Sequence, residues 1–322
     1  MALSDMKVFN QYLKRAVIET LTQDIAKFNA ASAGAIQLTA QSIDGDFLQE
    51  SFWAGIHSAQ RRVDRYAANG AQTATPLSQK QYDSVKIAGG FGPILWEPGQ
   101  LSWVQKSPEE ALEVISRNLS EAIIADQLNT AIAALAAAIG NQAAATNDVS
   151  ATAGVDYIEI NNAHAKFGDA SMRLVAQVMT GAMYHKLIGQ NLANANSLFS
   201  ASGVNIVDIL GKAVIVTDAP ALTVAGTPTK SKVLSLTTGA AVVSDGSDLI
   251  TNIETSNGKE RIETTMQADY TFGLGLKGYT WDTANGGKSP TSAELATGSN
   301  WDLVANSIKG SAGVITIGDA AK

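Results

Sequence analysis

The 322-residue sequence has no cysteine, which excludes a disulfide framework, thiolate zinc sites and a cysteine nucleophile. Its three histidines are His57, His164 and His185. None stands in the His-Glu-x-x-His spacing that sets two metal ligands on one helical turn, so each reads as a surface or core residue. There is no Gly-x-Ser-x-Gly turn to strain and expose a nucleophilic serine. No apolar run reaches the length of a membrane span, and the opening MALSDMKVFNQYLKR lacks a signal-peptide core. The expectation is a soluble chain with no membrane partner that stays where it is made. Basic residues are too few for a dedicated nucleic-acid reader: 23 Lys+Arg against 30 Asp+Glu give a net charge of −7. Charge of either sign is scarce, at 16% of residues, where about 25% is usual. Ala, Ser, Thr, Asn and Gly fill the gap. Two kinds of protein fit that composition: a low-charge enzyme, and a subunit whose surface becomes interface.

What is present is a series of dissimilar segments. The length allows one large domain or two to three smaller ones. From 4 to about 29, Met6, Phe9, Leu13, Val17, Leu21, Ile25 and Phe28 recur at steps of three and four, the stripe of an amphipathic helix. The small-residue run AASAGA breaks it at 30–35. Such an arm lies either on its own core or on a neighbouring subunit. Leu13→Asp, in the arm, is expected to spare subunit folding and to reduce assembly.

Residues 46–69 are polar and read as helical in places, with Arg61, Arg62 and Arg65 interrupted by Asp64, a pattern typical of a solvated or salt-bridged face. From 76 to 103, Gly89, Gly90, Gly92, Pro93, Pro98 and Gly99 separate short β-type runs at 84–88 and 94–96. That predicts a long extended hairpin, too poor in apolar residues to be stable alone and mobile in the free subunit. Ser107-Pro108-Glu109-Glu110 then supplies a cap, a proline at the first helical position and a glutamate three after the cap. The helix predicted from there runs to about Ile139 with Gly140 as its stop, carrying Leu112, Ile115, Leu119, Ile123, Leu128, Ile132, Leu135 and Ile139. At ~1.5 Å per residue it forms a rod of roughly 48 Å, a spine for the whole subunit.

Beyond it, helix and strand alternate: a short helix at 161–167 closed by Gly168, a strand at 173–179, a helix at 182–192 and a strand at 213–217. Strands follow within 233–256 and, most strongly, in the Thr-, Tyr- and Phe-rich stretch 261–281. The tail from 289 reads as loop until an apolar run at 314–317.

Two phosphate motifs fail on their context. Gly273-Leu-Gly275-Leu-Lys-Gly278 matches the dinucleotide fingerprint, but β-type Tyr279-Thr280-Trp281 follows where a helix is needed. Those glycines are expected to let a strand bend or pack closely. Gly287-Lys288-Ser289 resembles the end of a phosphate-cradling loop, yet the required earlier glycine is Asp282. Asp245, Gly246 and Asp248 lack the glutamate that closes an EF-hand loop and read as a turn. No catalytic, cofactor-binding or metal-binding residue is assigned, and no enzyme activity or cofactor is expected.

The order of parts resembles the major capsid proteins of tailed bacteriophages with the Hong Kong 97-type fold. Asn162-Ala-His164-Ala-Lys-Phe-Gly168-Asp169, leading into 174–179 and 182–187, looks like the helix, strand and helix that open that family's axial domain. Leu210-Gly211-Lys-Ala-Val214-Ile-Val-Thr-Asp218 is similar to a following strand, and 261–281 resembles the strands returning to the peripheral domain. Gly278-Tyr-Thr-Trp281, Pro290-Thr291 and Asn300-Trp301 are similar to one coat-protein subfamily.

The resemblance implies an α+β fold with an N-terminal arm at 1–45 and an extended loop region at 46–106, its hairpin at about 76–103. A spine helix and loop occupy 107–154, an axial domain 155–256, and peripheral return strands with the tail 257–322. It implies a shell protein of the virion that assembles in the bacterial host cytoplasm. Its partners would be itself as pentamers and hexamers, a portal protein, a separate scaffolding protein, an optional decoration protein, and packaged double-stranded DNA held non-specifically. Lys80 and Lys86 fall in the expected hairpin, with no basis for a covalent cross-link. An encapsulin-type compartment shares the architecture, and a nucleotide-dependent α/β enzyme is the alternative from another class.

Overall fold

The computed structural model describes residues 12–19, 29, 32–39, 45–55, 59–96, 108–194, 212–246, 248–257, 260 and 262–322. The rest of the arm, His57, Ser107, the end of the expected hairpin at 97–103 and the Leu210-Gly211 pair lie outside the described residues.

Helix α1 (Pro108–Gly140) runs 33 residues, the spine expected from Pro108 and its acidic first turn. Leu119, Ile123, Ile132, Leu135 and Ile139 are buried in the main core, with Ile115 and Leu128 packed beside them. The segment 113–140 is long and apolar enough to cross a bilayer, but its apolar line is covered by the protein's own core. Residues 12–19 are helical, and Leu13 and Val17 are fully buried in that same core. The Ser120 hydroxyl donates to the Val17 carbonyl at 3.1 Å. This part of the arm therefore lies on its own subunit. The expectation that Leu13→Asp spares folding does not survive, because the aspartate would replace a fully buried leucine.

Two sheets flank the spine. The first has β1 (Ile36–Thr39), β9 (Ala241–Asp245), β11 (Glu263–Leu276), β12 (Tyr279–Trp281) and β13 (Trp301–Leu303) in that order, with β10 (Ile250–Ser256) and β3 (Gln79–Trp96) also on β11 and β2 (Phe47–Trp53) outside β3. The second runs β4 (Thr146–Asp148), β14 (Gly313–Asp319), β8 (Lys230–Thr237), β5 (Leu174–Met179) and β6 (Ala213–Val216), with β7 (Thr223–Val224) on β8. The spine touches β9, β11 and β13 of the first sheet and β14 of the second, so it joins them through one core. Helices α2 (Tyr157–Lys166) and α3 (Gly181–Asn194) accompany the second sheet, and Ile160, Met183 and Leu187 bury there with Val155, Met179 and Val233. Asp156 caps α2 by accepting from the Glu159 amide at 2.8 Å, and Gly168 beyond it takes φ +57, the left-handed turn that stops the helix.

Several expectations need correction. Residues 47–53 form a strand, and none of residues 60–78 is helical. The runs at 84–88 and 94–96 are not two arms of a hairpin: β3 passes straight through both. Its hairpin partner is β2, with Phe47 opposite Val85 and Trp53 opposite Gln79. Two contacts explain the glycines. A Cβ on Gly89 would stand 2.7 Å from the Tyr270 ring, which lies against the strand there. Gly92 and Pro93 sit at a register shift against β11, where proline's missing donor costs no ladder bond.

Nor is β3 too apolar-poor to be held: Val85 and Ile87 are buried, and the strand pairs with β11 from Val85 to Trp96. The tail beyond 289 holds a capped helical turn at Ser292–Leu295 and two strands. A change of sheet does not coincide with the boundary expected near 256. Strands β9 and β10 already belong to the first sheet, and the C-terminal β14 returns to the second, antiparallel to β8.

Candidate assembly surfaces

The chemical candidates resolve into structural parts. Gly273 and Gly275 lie inside β11, and the strand β12, not a helix, follows them. A Cβ on Gly275 would approach Ser84 Oγ and Tyr82 Oη to 2.6 Å, so the glycine is needed for close strand packing. Gly287, at φ +70, ends a single helical turn and cradles nothing; its carbonyl accepts from the Trp281 indole at 3.0 Å. Asp248 is engaged by Lys86 at 2.8 Å and by the Thr271 hydroxyl at 3.0 Å. No group of three or more His, Asp or Glu suited to a metal occurs among the described residues.

His164 is buried under α2 with Nε2 2.8 Å from the Ser235 hydroxyl. Burial, and then the charge of Lys212, pushes its pKa down to about 4, so it is neutral at ordinary pH. His185 is exposed, with its ring edge-on to Tyr184. A cleft of about 580 Å³ lies within the first sheet beside the base of the β2–β3 hairpin, lined by Leu48, Glu50, Tyr82, Val242, Lys277 and Val304. It pairs no nucleophile with a base. Burial raises the Tyr82 hydroxyl above its ordinary value, which removes it further from acid–base use.

The surface is more informative than the cleft. Every residue from 59 to 79 is exposed, including Tyr66 at 92%, and residues 60–78 form neither helix nor strand before β3 begins. Arg61, Arg62 and Arg65 all stand in solvent there, as their alternation with Asp64 predicted. Arg65 lies over the Tyr66 ring at 5.9 Å, and Asp64 accepts from the Tyr66 amide at 2.9 Å.

The loop projects from a fixed base. Lys80 Nζ donates to the Val304 carbonyl at 2.7 Å and to Asn306 Oδ1 at 3.0 Å, and the Asp83 amide donates to Thr280 Oγ1 at 2.9 Å. Both hairpin lysines, Lys80 and Lys86, are thus committed within the subunit. Apolar side chains also surface where β3 and β11 run out together, at Ile94, Leu95 and Ile262. The sequence signals for these surfaces were the low charge of the whole chain and the polar text between 54 and 78. The pairing of residues 47–53 with 79–85 was not legible.

Comparison with known proteins places this architecture. A search of curated proteins found no match. Among solved structures, the capsid asymmetric unit of cyanophage Pam1 is similar over 89% of this chain and 88% of its own, at 13% identity and a TM-score of 0.53, which shows the shared fold. The acid-stable capsid of Helicobacter pylori bacteriophage KHP30 aligns over 90% of this chain and 89% of its own, at 8% identity and a TM-score of 0.49. The family model described as Gp13-like, major capsid protein 13-like, matches residues 5–315. The chain therefore belongs to the Gp13-like major capsid protein family, and it is a structural protein of the head shell of a tailed-phage virion.

Proposed function

We propose that copies of this chain close into an icosahedral shell of pentamers and hexamers around double-stranded DNA, each laying its 59–79 loop over a neighbour. The observation that supports this is the unbroken exposure of that loop on a hairpin whose base is bonded into the body. A stretch that buries nothing in its own subunit gains stability when a second copy covers it, at roughly 25 cal/mol per Å² of apolar surface. A stable interface of standard size needs about 800 Å² from each partner, within reach of a loop of this length together with the apolar end of β3. Such contacts are heterologous, and rings of five and six close them.

In this reading the second sheet with α2 and α3 is the axial part, near the ring centre, and the first sheet with the spine is peripheral. The protein has no catalytic step. A portal protein and a separate scaffolding protein take part in assembly, with decoration proteins as optional additions. The net charge of −7 keeps the grip on DNA loose.

Replacing residues 60–77 with a short Gly-Ser turn tests the reading. The expected result is a folded subunit that no longer sediments as shells with its scaffold. Shells in normal yield would overturn it.

A further inference from the structure

Three cations that are far apart in sequence meet where the two sheets adjoin. Leu174 pairs with Thr237 at the end of the β5–β8 ladder, so Arg173 and Thr238 are the next residues outward, side by side. Lys277, in the turn between β11 and β12, reaches across from the first sheet and donates to the Thr238 carbonyl at 2.9 Å. Lys212, just before β6, donates to the Leu174 carbonyl at 2.5 Å and to the Ser171 carbonyl at 3.5 Å, on either side of Arg173. Arg173 and Lys277 are exposed and Lys212 is half-buried.

Among the described residues none of the three has a carboxylate partner. Asp169, in the same 3-10 turn as Arg173, is already paired with Lys309 at 2.6 Å. Backbone carbonyls fix the two lysine heads but cancel no charge. Burial lowers the pKa of both lysines, and for Lys277 the charge of Arg173 lowers it further, so the subunit bears a cost in holding them together. In a chain with more acidic than basic residues, such a gathering marks a place for an external anion.

We infer that Arg173, Lys212 and Lys277 form a contact site for the phosphate backbone of double-stranded DNA. This rests on the reading above, in which the shell encloses DNA, and it assigns residues to that contact. Phosphate fits the group because its charged heads are held by backbone carbonyls with no carboxylate among them, and Arg173 and Lys277 stay exposed to meet an anion. Contacts from such charged heads to phosphate oxygens position a duplex and carry no sequence information.

The test measures binding of a fluorescent 30-base-pair duplex to the purified full-length protein by anisotropy, across a salt series from 20 to 200 mM. Arg173→Gln with Lys277→Gln should weaken binding at least tenfold at the lowest salt and flatten the slope of log K against log salt by about 2, near 0.9 for each lost phosphate contact. The charge-matched control Arg117→Gln with Lys288→Gln removes exposed cations elsewhere, and it should stay within threefold of the parent. Arg173→Lys with Lys277→Arg keeps both charges and should bind like the parent, which separates lost charge from lost folding. Equal losses in the test and control pairs, or no loss in either, would overturn the site. So would competition by polyglutamate stronger than by unlabelled duplex, which would assign the cations to an acidic protein segment. Shell formation by the same variants, read by sedimentation, reports separately on the capsid reading: shells with unchanged DNA binding would remove the site and leave the shell intact.

Discussion

Tyr270 in β11 donates its hydroxyl proton to Asp126 in the middle of the spine helix, across 2.5 Å. The bond ties the long spine helix to β11, the strand that pairs with β3. The Tyr270 ring is stacked between Phe91, at 5.6 Å, and Phe272, at 6.2 Å. Burial, followed by its bond to Asp126, holds the phenol well above its ordinary pKa.

Tyr270→Phe keeps the ring and removes only this bond. A hydrogen bond to a charged acceptor contributes about 1.5–3 kcal/mol, and Asp126 retains access to water, so a loss of about 1.5 kcal/mol is expected. Urea unfolding of the free subunit measures it. An unchanged midpoint would mean that the spine and β11 are held by apolar packing alone.

Leu13 and Leu135 are both fully buried, one in the arm and one in the spine. Leu→Ala at either site should cost about 2–5 kcal/mol. Leu13→Asp, Leu119→Asp and Leu135→Asp should each prevent recovery of folded subunit, because each buries an unpaired charge. Soluble, folded Leu13→Asp protein that failed only in assembly would return the arm to a neighbouring subunit.

The His164 pKa is about 4 in the folded chain and about 6.5 when unfolded. The unfolded chain therefore takes up the proton first, and stability falls as pH drops from 6.5 to 4. Asp148, Asp169, Asp248, Asp282 and Glu294 have lowered pKa values, so their contributions are lost only below the ordinary carboxylate range. Between pH 6.5 and 5 the slope belongs mainly to His164. His164→Gln should flatten urea midpoints across that window, and a slope equal to the parent's would contradict the burial of a neutral imidazole.

Gly275→Ala should destabilise the subunit by about 1–3 kcal/mol, since the added methyl meets Ser84 and Tyr82. Neither parent nor variant should gain thermal stability from ATP or NAD. A nucleotide-dependent rise in the parent that the variant lost would revive the fingerprint reading of 273–278.

The sequence revealed the elements that carry their own local signals. Pro108 with two following glutamates marked the start of the spine, and the Thr- and aromatic-rich text of 263–276 marked its strand. Strand β3 was hidden because Gly89, Gly90, Gly92 and Pro93 look like a turn until the Tyr270 ring that covers them is known. That ring is about 180 residues further on, and no local pattern encodes it. The same holds for β14, whose apolar run was visible but whose place beside β8 and β4 was not. The cation group failed to show for a like reason, since Arg173, Lys212 and Lys277 stand in unremarkable text and meet only through strand register.

In the proposed shell the subunit completes its surface only with copies of itself. Electron microscopy of the purified full-length protein, co-expressed with its scaffold, tests that most directly. Closed shells, with rings of five and six at intermediate concentration, are the predicted result. Particles no larger than one subunit at every concentration would contradict it.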